Sequence, residues 1–221
     1  MDSETSFDSL IEYLSKEVGK VCEGRDPSHG HDHMQKVAKT SMDIVQDLSI
    51  KDSQIIRRVL VVAWLHDVND HKYDKDGKLK EEVLRIIRFL YPNNESEVQL
   101  IMNIIDRISF SKENSSMKSG LQNDWKAVLG EEGLLVRDIV SDADKLEALG
   151  TVGFSRCIEY SKVAYLERYK KEMPNDVLKE TVLKHADEKL LLLKDKFIRT
   201  SSGKRLAEPL HKELVECLSK L

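Results

Sequence analysis

The segment from Ile55 to Asp67, read IIRRVLVVAWLHD, constrains this chain most. Val59 to Leu65 is seven apolar residues without interruption. A helix that is apolar nearly all round must be covered on every side, so this one belongs at the buried centre of a fold. Asp52 or Ser53 stands where its N-cap would fall. A membrane span needs about 20 apolar residues, so the run marks a core and not a crossing. It closes on His66-Asp67, and an unpaired ionised carboxylate there would cost several kcal/mol.

Apolar residues recur at helical spacing through the rest of the 221 residues, and Gly and Pro together number only 14 (10 and 4). Phe7, Leu10, Ile11, Leu14, Val18 and Val21 predict a first helix ending near Gly24. Asp26-Pro27-Ser28-His29-Gly30 reads as a turn, and a second helix starts near His31. The central helix follows, then a fourth helix stopped at Pro92, a short fifth around Val98 to Ile105, and a sixth over Leu135 to Leu146 closed by Gly150. The C-terminal third predicts helices at about 152–172, 176–199 and 205–220, parted by Pro174 and Gly203. Pro209 is expected to kink the last helix or mark its first turn. No stretch reads as a strand. The expectation is an all-α fold, a single domain over 1–221 with its core at about 7–215 and a loop or insertion at about 109–132.

Lys+Arg 35 against Asp+Glu 39 gives a net charge of −4. That balance, without aromatic–basic interleaving, argues against nucleic-acid binding. The opening MDSETS has neither a basic nor an apolar region, so no secretory leader is expected. Cys22, Cys157 and Cys217 are odd in number and widely spaced, which predicts reduced thiols and a cytoplasmic location.

Two stretches carry the ionisable groups that could do chemistry. His29, His31 and His33 crowd the turn before the second helix, and His66-Asp67 ends the central one. A divalent metal would satisfy that doublet at once; otherwise Asp67 accepts hydrogen bonds in the following turn and His66 is a core histidine. In the second stretch, Asp142 and Asp144 sit two apart on one helix and point about 200° from each other. Only one of them can aim at a given point, and periodicity does not choose between them. A solvated charged face is the alternative for both.

The residues taken in order resemble the HD-domain metal-dependent phosphohydrolases. His29-Gly30-His31-Asp32-His33-Met34-Gln35-Lys36-Val37 is similar to that family's H-x-x-x-H-x-x-[RK]-V opening, and Ala63-Trp64-Leu65-His66-Asp67-Val68 to its helix end. Asp70-His71-Lys72-Tyr73, Ile105 to Ser111, and the block Asp142 to Arg156 (DADKLEALGTVGFSR) resemble a branch of bacterial nucleoside-triphosphate pyrophosphatase-like proteins. His185, Glu188, Lys189 and Leu190 match further on, as do Thr200, Gly203, Lys204 and Leu206. Pro209-Leu210 departs from the pattern, and the likeness spans about residues 7–215.

The resemblance implies metal ligands at His33, His66, Asp67 and Asp144, with Asp142 behind them or as a substitute ligand. Mixed nitrogen and oxygen donors suit one Mn²⁺ or Mg²⁺, and also Co²⁺, Ni²⁺ or Fe²⁺. Residues 72–141 hold no histidine, which implies one ion and not two. Asp70 and His29 are the candidate catalytic groups. Lys72, Lys145 and Arg156 are the candidate phosphate holders. The implied activity is hydrolysis of a nucleotide, most specifically a nucleoside triphosphate to monophosphate plus pyrophosphate. A nucleoside monophosphatase or another small phosphomonoesterase is the alternative enzyme, and a metal-stabilised helical interaction module without turnover the alternative of another class. The expected partner is a small-molecule nucleotide, with no nucleic acid and no membrane; monomer and homodimer both stay open.

Overall fold

The structure, a computed structural model, describes residues 6–25, 29–74, 76–119 and 125–221. Residues 1–5, the first three of the turn expected at 26–30, and 120–124 lie outside the described residues. Among the described residues there are ten α-helices and no strand. The all-α expectation holds. The chain forms two compact units, Met1–Ser141 and Asp142–Leu221, and the boundary falls within a helix.

In the first unit, α1 (Phe7–Val21) buries Leu10, Leu14 and Val18 on one stripe. The Ser6 hydroxyl caps it by accepting from the Ser9 amide at 3.3 Å. Helix α2 (His31–Asp47) buries Met34, Val37, Ile44 and Val45. Helix α3 (Ser53–Leu65) is capped by Asp52, whose Oδ1 accepts from the Gln54 and Ile55 amides at 2.8 and 3.1 Å. Every residue from Val59 to Leu65 is at most 1% exposed. α1, α2 and α5 (Glu95–Ile105) all pack on α3, so the chain's most apolar helix lies at the centre of its unit. Each of those large side chains contributes about 1.5–3 kcal/mol by burial, before ordering costs. α4 (Lys78–Leu90) stops just before Pro92, and the Asn94 side chain caps α5 through the Glu97 amide.

The stretch expected as a loop at about 109–132 is largely helical. α6 spans Phe110–Lys118, and α7 begins at Trp125 and runs to Leu146, kinked where Gly130 takes φ 67°. Apolar periodicity missed α6 because the residue it buries is Glu113. Glu113 Oε2 accepts from Arg137 Nη2 at 2.7 Å, and both side chains are fully buried. Arg137 also donates to the Arg107 carbonyl at 3.0 Å and to Asp138 at 2.9 Å, and its guanidinium lies 4.0 Å from the centre of the Trp125 ring. An ion pair here occupies the place an apolar stripe would have taken.

The second unit contains the end of α7, α8 (Gly150–Tyr169), α9 (Asn175–Glu188) and α10 (Ser201–Ser219), with α8 packed on both α9 and α10. The helix expected at 176–199 ends at Glu188. A 3₁₀ turn at Leu190–Leu192 and one π-helical turn at Leu193–Phe197 follow. They keep Leu190, Leu193 and Phe197 buried, so the apolar spacing continues where the α-helix does not. Gly203 does not separate helices: it lies in the first turn of α10, capped by the Thr200 hydroxyl accepting from the Gly203 amide at 2.9 Å. α10 runs through Pro209 and does not start there. No helix among the described residues is long and apolar enough to cross a membrane.

Glu113→Leu strands the buried Arg137 charge, and the expected loss is about 3–5 kcal/mol of unfolding free energy in urea titrations. A loss under about 1 kcal/mol would show that water reaches Arg137.

Candidate functional site

The first unit brings five of the expected side chains, His33, His66, Asp67, His29 and Lys72, to the end of α3 or the turn after it. His33, buried on α2, lies with its ring centre 5.3 Å from that of His66, the planes at 60°. His66 is the C-cap residue of α3, and its Nδ1 is 2.8 Å from the Ala63 carbonyl oxygen. A carbonyl only accepts, so Nδ1 donates, which in the neutral ring makes Nε2 the basic nitrogen. That arrangement, one imidazole nitrogen tied to the backbone and the other basic, is how metal-binding histidines are usually held. Asp67 follows in the turn, with its Oδ2 at 4.0 Å from His29 Nε2. His29 Nε2 is 3.2 Å from Lys72 Nζ, and its ring leans on Tyr73 with centres 5.7 Å apart. His29, Asp67 and Lys72 thus form one polar cluster.

Asp70 shapes the turn. Its Oδ1 accepts from the Lys72 amide at 2.8 Å and lies 3.4 Å from His71 Nδ1, while its carbonyl accepts from Tyr73. The carboxylate remains about one-fifth exposed, so it caps the turn and still meets solvent. His31, the middle histidine of the opening, turns elsewhere, its Nε2 2.8 Å from the Ser15 hydroxyl.

Arg25 is the participant that the sequence did not reveal. Its Nη1 and Nη2 donate to the carbonyls of Asp67 and Val68 at 3.2 and 2.5 Å. It stands 42 residues upstream of Asp67, and it bonds the backbone of the turn, so no local spacing announces it.

In the second unit the two aspartates part ways. Asp142 is fully buried; Oδ1 accepts from the Arg199 amide at 2.8 Å, and Oδ2 from the amide and hydroxyl of Thr200, each at 2.7 Å. Burial pushes its carboxyl pKa up, and the bonds from Thr200 and Arg199 pull against that. Asp142 therefore ties α7 to the start of α10. A methyl group on Gly203 would lie 2.5 Å from Asp142 Oδ2, which is why that position is glycine. Asp144 is half-buried on the same helix. Lys145 is buried, and its charge favours the ionised form of Asp142. Arg156 Nη1 donates to Glu147 at 3.1 Å. Among the described residues, His33 and His66 of the first unit and Asp144 of the second carry donor atoms of the kind a metal ion takes.

The helical fold is similar to that of a Bacillus thuringiensis HD-superfamily hydrolase, which superposes with a TM-score of 0.63 at 24% identity, over 96% of this chain and 95% of that one. By sequence the chain is similar to YpgQ, an uncharacterized protein of Bacillus subtilis, at 28% identity over 199 residues, 89% of this chain and 85% of YpgQ. A crystal structure of YpgQ in complex with ADP superposes with a TM-score of 0.64 at 21% identity, covering 95% of this chain and 92% of that one. A Lactobacillus plantarum protein gives 0.68 at 24% identity, over 100% and 96%. No protein-family model matches the chain.

Asp142→Asn turns an amide N–H toward one of three donors, and a loss of about 2–4 kcal/mol is expected in thermal or urea unfolding. Gly203→Ala should cost about 1–3 kcal/mol by crowding the same carboxylate. Near-neutral results for both would mean that the α7–α10 tie is not under load.

Proposed function

We propose that this protein is a metal-dependent phosphohydrolase acting on a nucleotide, converting a nucleoside triphosphate to the monophosphate and pyrophosphate. The observation that carries the reading is the histidine pair at the end of α3, with His66 fixed through Nδ1 and the Asp67 carboxylate next in sequence. The HD-superfamily fold supports it, and so does the ADP bound to the similar YpgQ.

In this reading His33, His66 and Asp144, joined by Asp67 as the resemblance implies, would hold one divalent ion, Mn²⁺ or Mg²⁺ first. Two imidazoles and two carboxylates are donors that suit such an ion and leave room for solvent. Bound there, it would supply Lewis-acid stabilisation of phosphoryl charge and lower the pKa of a water molecule. Asp70, partly exposed and fixed by the Lys72 amide, orients the attacking water and takes its proton. The water oxygen joins the α-phosphorus as the bond to the bridging oxygen breaks, and pyrophosphate leaves with that oxygen. His29 and Lys72 face the phosphate chain from the first unit. Lys145 and Arg156 are assigned to its charge from the second, with Glu147 holding the guanidinium in place.

The test is incubation of the purified protein, stripped with chelator and reloaded with Mn²⁺, with a panel of nucleoside mono-, di- and triphosphates. Pyrophosphate release from triphosphates is the expected result. Orthophosphate alone would replace the reading with a monophosphatase, and no release at all would leave a metal-binding helical module. His66→Ala and Asp144→Asn should each lose bound metal by elemental analysis and lower the rate by about 10³-fold or more, the scale lost when a transition-state stabiliser is removed.

A further inference from the structure

We propose that Arg25 is a positioning residue for the metal centre, holding the turn that aims Asp67. The inference rests on the reading that His66 and Asp67 are metal ligands and adds a residue to it. The carbonyls at the end of a helix have no partner within it. Here the main chain leaves α3 at His66 and turns back over 67–73, with the Val68 amide bonded to the Leu65 carbonyl, Asp70 to Asp67, and Tyr73 to Asp70. Arg25 follows α1, and its fork spans the carbonyls of both Asp67 and Val68. Its planar face lies over the Tyr73 ring, 4.5 Å from the centre. One side chain therefore grips the turn at its start and at its end.

Three consequences follow from that geometry. The guanidinium sets its positive charge at the negative end of the α3 dipole. It fixes the peptide planes on both sides of Val68, and with them the direction of the Asp67 side chain. It also stacks on Tyr73, which in turn meets the His29 ring, so one residue links the turn to the histidine opening. Lysine cannot replace it, because an ammonium has no flat face and no fork to bridge two adjacent carbonyls.

The experiment compares wild type with Arg25→Ala and Arg25→Lys by Mn²⁺ titration, followed by calorimetry, and by amide hydrogen exchange. Mn²⁺ affinity should weaken by about tenfold or more in both variants, the scale lost when a group orienting a ligand is removed. The amides of Val68, Asp70 and Tyr73 should exchange faster while Val62 and Ile101 keep their protection, since only the turn is released. Millimolar guanidinium should restore Mn²⁺ affinity to Arg25→Ala and leave wild type unchanged. Wild-type affinity in Arg25→Ala overturns the inference, as does acceleration that spreads equally into α3 and α5, which would make Arg25 a general stabiliser. A wild-type protein that takes up no Mn²⁺ defeats the metal reading itself, and the inference with it. That failure differs from one in which only the variants match a metal-binding wild type.

Discussion

Burial of α3 on all sides is the constraint on which the first unit depends. A helix with Val59 to Leu65 sealed from water needs neighbours around its whole circumference, and α1, α2 and α5 supply them. Its end then becomes a place where polar groups are held by protein and not by solvent. His66 stands at that end with one nitrogen tied to the Ala63 carbonyl, and His33 reaches it from α2. The same packing that makes the core therefore fixes an imidazole pair, because α2 cannot cover α3 without bringing His33 to that level.

Charged groups buried away from water recur in both units, and each has several partners. Arg137 meets Glu113, Asp138, a carbonyl and the Trp125 face. Asp142 accepts three hydrogen bonds from two consecutive residues. Removing one member of such a set leaves the others desolvated without compensation, so these sites are exacting in sequence although they lie apart from the proposed chemistry. Asp142 and Asp144, two residues apart, also have unequal surroundings: Asp142 is fully buried and holds a helix start, whereas Asp144 is half-buried.

The helices with an apolar stripe were legible in the sequence, as were the cap at Asp52 and the place of the His66-Asp67 doublet at the end of the central helix. What escaped had its partner far away in the chain. The loop expected at 109–132 turned out to hold α6, because Glu113 lies against Arg137 where an apolar residue would have announced the helix. The break at Glu188 was hidden because Leu190, Leu193 and Phe197 keep the apolar spacing through a 3₁₀ and a π turn. That Asp142 is the aspartate tied into the protein could not be read from periodicity, since the bonds come from Arg199 and Thr200, more than fifty residues later.

By itself the sequence determined the all-α class, the central helix and the residue types at its end, because apolar period and cap chemistry act within a few residues of each other. Only the tertiary structure decided that Arg25 grips the turn after α3 and that Asp142 ties α7 to α10. Those bonds join side chains to backbone groups 42 to 58 residues away, and a backbone carbonyl or amide looks the same at every position until the fold says which ones are left without a helical partner.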